Sequence, residues 1–108
     1  MTTAEKLAKL NAQLDLSRAM VNASDPGAAD AEHRAVKSLI LRVTGDMTLG
    51  HFDEAAKAAR ELYAAVLKLQ AAWAKGESSA TGRALTQVET LAAEIEAELR
   101  RKAEGVRT

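Results

Sequence analysis

Turn signals at Ser24-Asp25-Pro26-Gly27, at Gly50 and at Gly76 to Ser79 cut this chain into four stretches of similar length, each with apolar residues at helical spacing. Thr2 and Glu5 have the spacing of a capping box, and Leu7, Leu10, Leu14 and Val21 follow with Ser17 in the same stripe, predicting a helix over 3–23. Asp25 suits an N-cap and Pro26 the first helical position, where a missing N–H costs nothing. The second helix, over 26–49, has its stripe at Ala29, Val36, Ile40, Val43 and Met47, with Leu39 beside it. Gly50 closes it in a left-handed conformation and Gly45 lies on its exposed side. The alternative boundary stops this helix near Thr44, with Gly45 as the cap.

Asp53 and Glu54 then complement the dipole of a third helix over 51–75, with stripe Phe52, Ala55, Ala59, Leu62, Val66, Leu69 and Trp73. Glu77, Ser78 and Ser79 supply N-cap choices for a fourth over 79–104, with stripe Ala84, Val88, Leu91, Ala92, Ile95 and Leu99 and a stop at Gly105. Short connections cannot reach back along a helix, so neighbours must run antiparallel. The expected fold is all-α, one up-down-up-down four-helix bundle filling residues 1–108 as a single domain.

Composition narrows the function classes. Fifteen basic residues balance fifteen acidic ones, which removes the field that draws proteins to nucleic acid or an anionic membrane surface. With no cysteine there is no disulfide framework, thiolate nucleophile or thiolate-ligated metal. Apolar runs of a few residues are far short of a membrane span, and the N-terminal stretch lacks a signal peptide's apolar segment, so a cytoplasmic or recombinant intracellular setting is expected.

Equal helices, minimal capped turns and Ala-rich stripes together give a chain that resembles de novo designed four-helix bundles, including those built to hold a drug or a porphyrin. The resemblance covers the whole chain but rests on architecture, so it carries over no residue's role. Gly45 within a helix, Gly82 near a helix start, and Leu16 and Met20 opposite the first core stripe depart from an idealised design.

Polar residues on the core stripes are the feature that bears on function, because burying an unsatisfied amide costs roughly 1–3 kcal/mol and an unpaired charge more. At about 100° per residue, Glu32 shares a face with Ala29, Val36 and Val43, and Gln70 shares one with Phe52, Ala59 and Val66. Arg18 and Asn11 sit at the edge of the first stripe and Ser17 within it. Antiparallel register sets Arg18 or Ser17 against Glu32, Glu32 level with Leu69 and Gln70, and Gln70 level with Ala84 and Leu85, making one polar layer. Val21, Ala28, Ala29, Trp73 and Thr81 lie on its loop side, where small residues leave room beside one indole. Asn11 and Tyr63 are expected to meet in a deeper layer. The plainer arrangement is an Arg18–Glu32 salt bridge between helices, with Tyr63 sending its hydroxyl to solvent and Trp73 serving as packing.

The leading expectation is a bundle that binds a small organic molecule through Arg18, Glu32 and Gln70 against Trp73, with no cofactor. An enzymatic version uses Glu32 as general base with Arg18 or Gln70 stabilising developing negative charge. A guanidinium beside that carboxylate weakens it as a base, which favours binding over catalysis. A metalloporphyrin such as haem would need one axial imidazole, from His33 or His51. No His-Glu-x-x-His or Glu-x-x-His pattern supports a protein-only metal site, and no spacing supports Ser17 with His33 as nucleophile and base. A third class is a structural or partner-binding module with Leu16, Met20 and Leu41 as its contact patch, which predicts self-association and no internal cavity. For the chain as a whole a monomer or weak homodimer is expected.

Overall fold

The computed structural model describes residues 1–23, 25–73 and 79–107. Four helices follow one another: α1 (Thr3–Met20), α2 (Pro26–Thr48), α3 (Phe52–Trp73) and α4 (Ser79–Arg107). Their starts and stops are local chemistry. The Glu5 amide donates to the Thr2 hydroxyl at 3.1 Å while the Thr2 amide donates to the Glu5 carboxylate at 3.1 Å, completing the capping box. The Asp25 carboxylate accepts from the Ala28 amide at 3.1 Å, and Pro26 opens α2.

Gly50 has φ of 76°, the conformation that glycine enters without a Cβ penalty. This lets the His51 amide reach the Asp46 carbonyl at 2.9 Å and the Gly50 amide reach the Met47 carbonyl at 3.1 Å, the paired bonds of a Schellman stop. The His51 carbonyl then accepts from the Ala55 amide at 2.9 Å, so one residue both ends α2 and begins α3.

The ends of α1 and α4 differ from the sequence-based expectation, while α2 keeps the extent expected for it, with Gly45 inside. α1 ends at Met20 and not at Ala23, because Val21 turns to extended backbone (φ −78°, ψ 125°) and buries its side chain over the end of the core. α2 runs through Gly45 to Thr48, which removes the alternative stop at Thr44. α4 passes through Gly105 to Arg107: a glycine permits a left-handed stop but does not compel one, and Gly50 alone has positive φ among the described residues. Gly76, Glu77 and Ser78 lie outside the described residues.

The helices form a ring in which α2 packs on α3, α3 on α4, and α4 on α1, while α1 meets α2 more sparingly. Pairs such as Arg42 with Glu61 and Lys6 with Glu98 show the antiparallel register. The bundle measures 48 × 23 × 18 Å. Its core is Leu7, Leu10 and Leu14 of α1, Val36, Ile40 and Val43 of α2, Leu62, Val66 and Leu69 of α3, and Leu85, Val88, Ile95 and Leu99 of α4. Leu85, not Ala84, is the buried residue at its level; Ala84 lies a step round the helix and is half-buried. Alanines 55, 56, 58 and 59 are all buried, which lets α2 and α4 close on α3 from both sides.

Candidate functional site

The best-connected polar constellation lies on the α1–α2 seam, near the end of the bundle that carries Trp73. His33 and Lys37, one helical turn apart, both reach across to Asp15. The His33 Nε2 is 2.9 Å from Asp15 Oδ1, and Lys37 Nζ donates to both carboxylate oxygens at 3.0 Å. Partial burial pushes the Asp15 carboxyl up, but the hydrogen bonds from Lys37 and His33 outweigh it and hold the group below its ordinary value. The His33 ring also stacks on Trp73, with centroids 6.2 Å apart and planes 29° from parallel. Trp73 is only 2% exposed, and its Nε1–H has no hydrogen-bond partner among the described residues.

Arg18, one turn further along α1, pairs through Nε with Asp30 Oδ1 at 2.9 Å and donates from Nη1 to the Val21 carbonyl at 3.5 Å. This corrects the expected Arg18–Glu32 pair. His33, Lys37 and Asp30 mark the edge of α2 turned to α1. Glu32 is about 100° round the helix from His33, away from the edge that meets α1. Glu32 is half-buried there and makes no hydrogen bond or ion pair with Arg18 or Gln70 among the described residues.

The rest of the expected layer also disperses. Ser17 is buried, but its hydroxyl donates to the Gln13 carbonyl one turn back at 2.8 Å, leaving it committed within its own helix. Gln70 and Tyr63 are half-buried, Tyr63 against the core, and Asn11 is half-buried with no bond to Tyr63 among the described residues. Val21, Ala29, Trp73 and Thr81 are each buried, whereas Ala28 is exposed. His51 is exposed and spends its backbone on the α2–α3 junction. Asp15, Lys37 and Asp30 were not singled out from sequence; the one signal for them was His33 and Lys37 at i, i+4 on the α1 side of the stripe.

At the opposite end, Lys6 pairs with Glu98, which also accepts from the Thr3 hydroxyl at 2.7 Å. Burial raises the Glu98 carboxyl, but the Lys6 and Thr3 bonds outweigh it and lower it; the same Glu98 bond raises the Lys6 ammonium. The Lys102 ammonium sits 5.5 Å from the centre of the Phe52 ring. Two open depressions lie at this end, one bounded by Thr3, Glu98, Arg101 and Lys102, the other by Asp53, Lys57, Arg60, Arg100 and Glu104. Neither touches the expected polar layer.

Among the described residues no group of three or more His, Asp or Glu side chains is placed to hold a metal ion, and no helix is long and apolar enough to cross a membrane. The fold and its seams define the class, an all-α antiparallel four-helix bundle with ion-paired helix edges. Comparison with protein-family models, with curated proteins and with solved structures gave no significant match.

Proposed function

We propose that the chain is a small-molecule-binding bundle of the designed ligand-binding type, with its site at the Trp73 end and not across Arg18, Glu32 and Gln70. The observation that carries this reading is the indole Nε1–H, which is buried without an acceptor among the described residues. An orphaned buried donor costs about 1–3 kcal/mol, and a Phe would fill much of the same volume without that cost. A ligand bearing a carbonyl or ether oxygen would satisfy it. The charges at the rim are already matched, Asp15 by Lys37 and Asp30 by Arg18, so the reading favours a neutral, planar molecule over an ion. No catalytic step is assigned.

The test uses the single tryptophan, which gives one indole N–H resonance in a ¹⁵N-labelled sample. Coumarin, neutral and flat with one carbonyl acceptor, is titrated in while that resonance and the Trp fluorescence are followed. The expected result is a saturable downfield shift with quenching, together with weaker coumarin binding by Trp73→Phe, read from backbone amide shifts, while helicity is kept. An indole proton that exchanges rapidly with water, or no saturable change with coumarin, overturns the reading. A Soret shift with haem that disappears in His33→Ala or His51→Ala would move the assignment to the porphyrin class.

A further inference from the structure

His33 ties three helices together at the Trp73 end. It belongs to α2, its Nε2 lies 2.9 Å from Asp15 Oδ1 of α1, and its ring stacks on Trp73 of α3. The His33 side chain keeps 22% of its surface in water and the indole under it only 2%, so the imidazole covers part of a buried ring. That cover stands on the sparsest seam of the bundle, where α1 meets α2. Near it the seam is joined by Lys37 with Asp15 and by Arg18 with Asp30, pairs whose carboxylates are half in water. Ion pairs so exposed hold little, which leaves the seam easy to part at this level.

Imidazole is the group here that changes charge near neutral pH. From α1 His33 faces the Asp15 carboxylate, with Arg18 one turn further along and already held by Asp30. From its own helix Lys37 shares the Asp15 carboxylate, while Glu32 and Arg34 flank it about 100° to either side. From α3 it meets the uncharged indole. Asp15 stays ionised throughout the imidazole range, its carboxyl being held below its ordinary value. A neutral ring bonds Asp15 only as the Nε2–H tautomer. A protonated ring donates to the same anion in a charge-assisted bond about twice as strong, and sets a cation against the indole face. The like charge of Lys37 opposes this, but both cations draw on one carboxylate from positions a turn apart.

We infer that His33 is a proton-controlled latch on the α1–α2 seam: protonated, it holds Asp15 and shuts the seam over Trp73, and neutral, it lets the two helices part and uncovers the indole. That this seam admits a ligand rests on the small-molecule reading above; the latch itself does not.

Acrylamide quenching of the single tryptophan reads the latch with no ligand present. The bimolecular quenching constant, corrected for excited-state lifetime, should be at least about twofold lower at pH ~5.5 than at pH ~8. His33→Gln should give a high constant, equal at the two pH values, and Asp15→Asn should also lose the pH response, with helicity kept in both. His51→Gln, at the opposite end of α3 from Trp73, should retain it. Coumarin, neutral at both pH values, should associate more slowly in acid by a similar factor, a dependence lost in His33→Gln. A quenching response that follows His33 without saturable coumarin binding supports the latch and removes the ligand reading alone. The inference is overturned by equal quenching constants at the two pH values, or by a pH response that survives His33→Gln or Asp15→Asn. Coumarin that associates equally fast at both pH values overturns the seam as its route.

Discussion

Trp73→Phe puts the orphaned indole to a quantitative test. The smaller ring leaves roughly 40 Å³ unfilled, which at about 24 cal/mol per Å³ costs about 1 kcal/mol. Some of the stacking on His33, worth roughly 0.5–1.5 kcal/mol for an aromatic pair, is retained by the phenyl ring. Against these losses stands the removal of a buried donor with no acceptor, a relief of about 1–3 kcal/mol. The terms nearly cancel, so the ligand-free variant should lie within about 1 kcal/mol of the parent, a Tm change of no more than about 4–8 °C. Trp73→Ala, with no such offset, should lose about 3–5 kcal/mol. Urea denaturation followed by far-UV circular dichroism measures both, since the Phe variant has no Trp fluorescence to follow. A Trp73→Phe variant destabilised by more than about 3 kcal/mol would mean that the indole N–H has a good partner in the free protein. That would remove the ground for a ligand at this end.

Acid should weaken the fold in part through Asp15 and Glu98, whose carboxyls both lie below their ordinary values. Their contribution is complete above the unfolded pKa near 4 and is lost as pH falls through the lower folded values, so the fall in Tm below about pH 4 should be shallower in Asp15→Asn and Glu98→Gln. With half of the Asp15 side chain in water, its share should stay under about 1 kcal/mol. A double-mutant cycle between Arg18 and Asp30 should give a coupling of roughly 0.5 kcal/mol and one between Arg18 and Glu32 none; the reverse would restore the pair expected from sequence. Gly50→Ala should cost about 1 kcal/mol because of its positive φ. Gly45→Ala, inside α2 with open space around the added methyl, should instead stabilise by about 0.5–1 kcal/mol, both read from chemical denaturation midpoints.

The features legible in the sequence were those set by contacts a few residues apart. Thr2 with Glu5, Asp25 with Pro26 and Gly50 act within one turn of chain, so their side-chain chemistry placed helix ends with no knowledge of the fold. Helical periodicity likewise picked out Leu10, Val36, Leu62 and Leu99 as core and separated them from Leu16 and Met20. Helix edges are a different matter, because adjacent residues lie about 100° apart and a modest rotation of one helix exchanges its partners. Arg18 meets Asp30 and not Glu32, and Leu85 displaces Ala84 from the core, because the azimuth of each helix is set jointly by every layer of side chains packed against it. The Asp15–His33–Lys37 cluster and the unpartnered Trp73 nitrogen depend on that same choice. They exist only where α1, α2 and α3 come together, and no segment of the chain holds enough of those contacts to specify them alone.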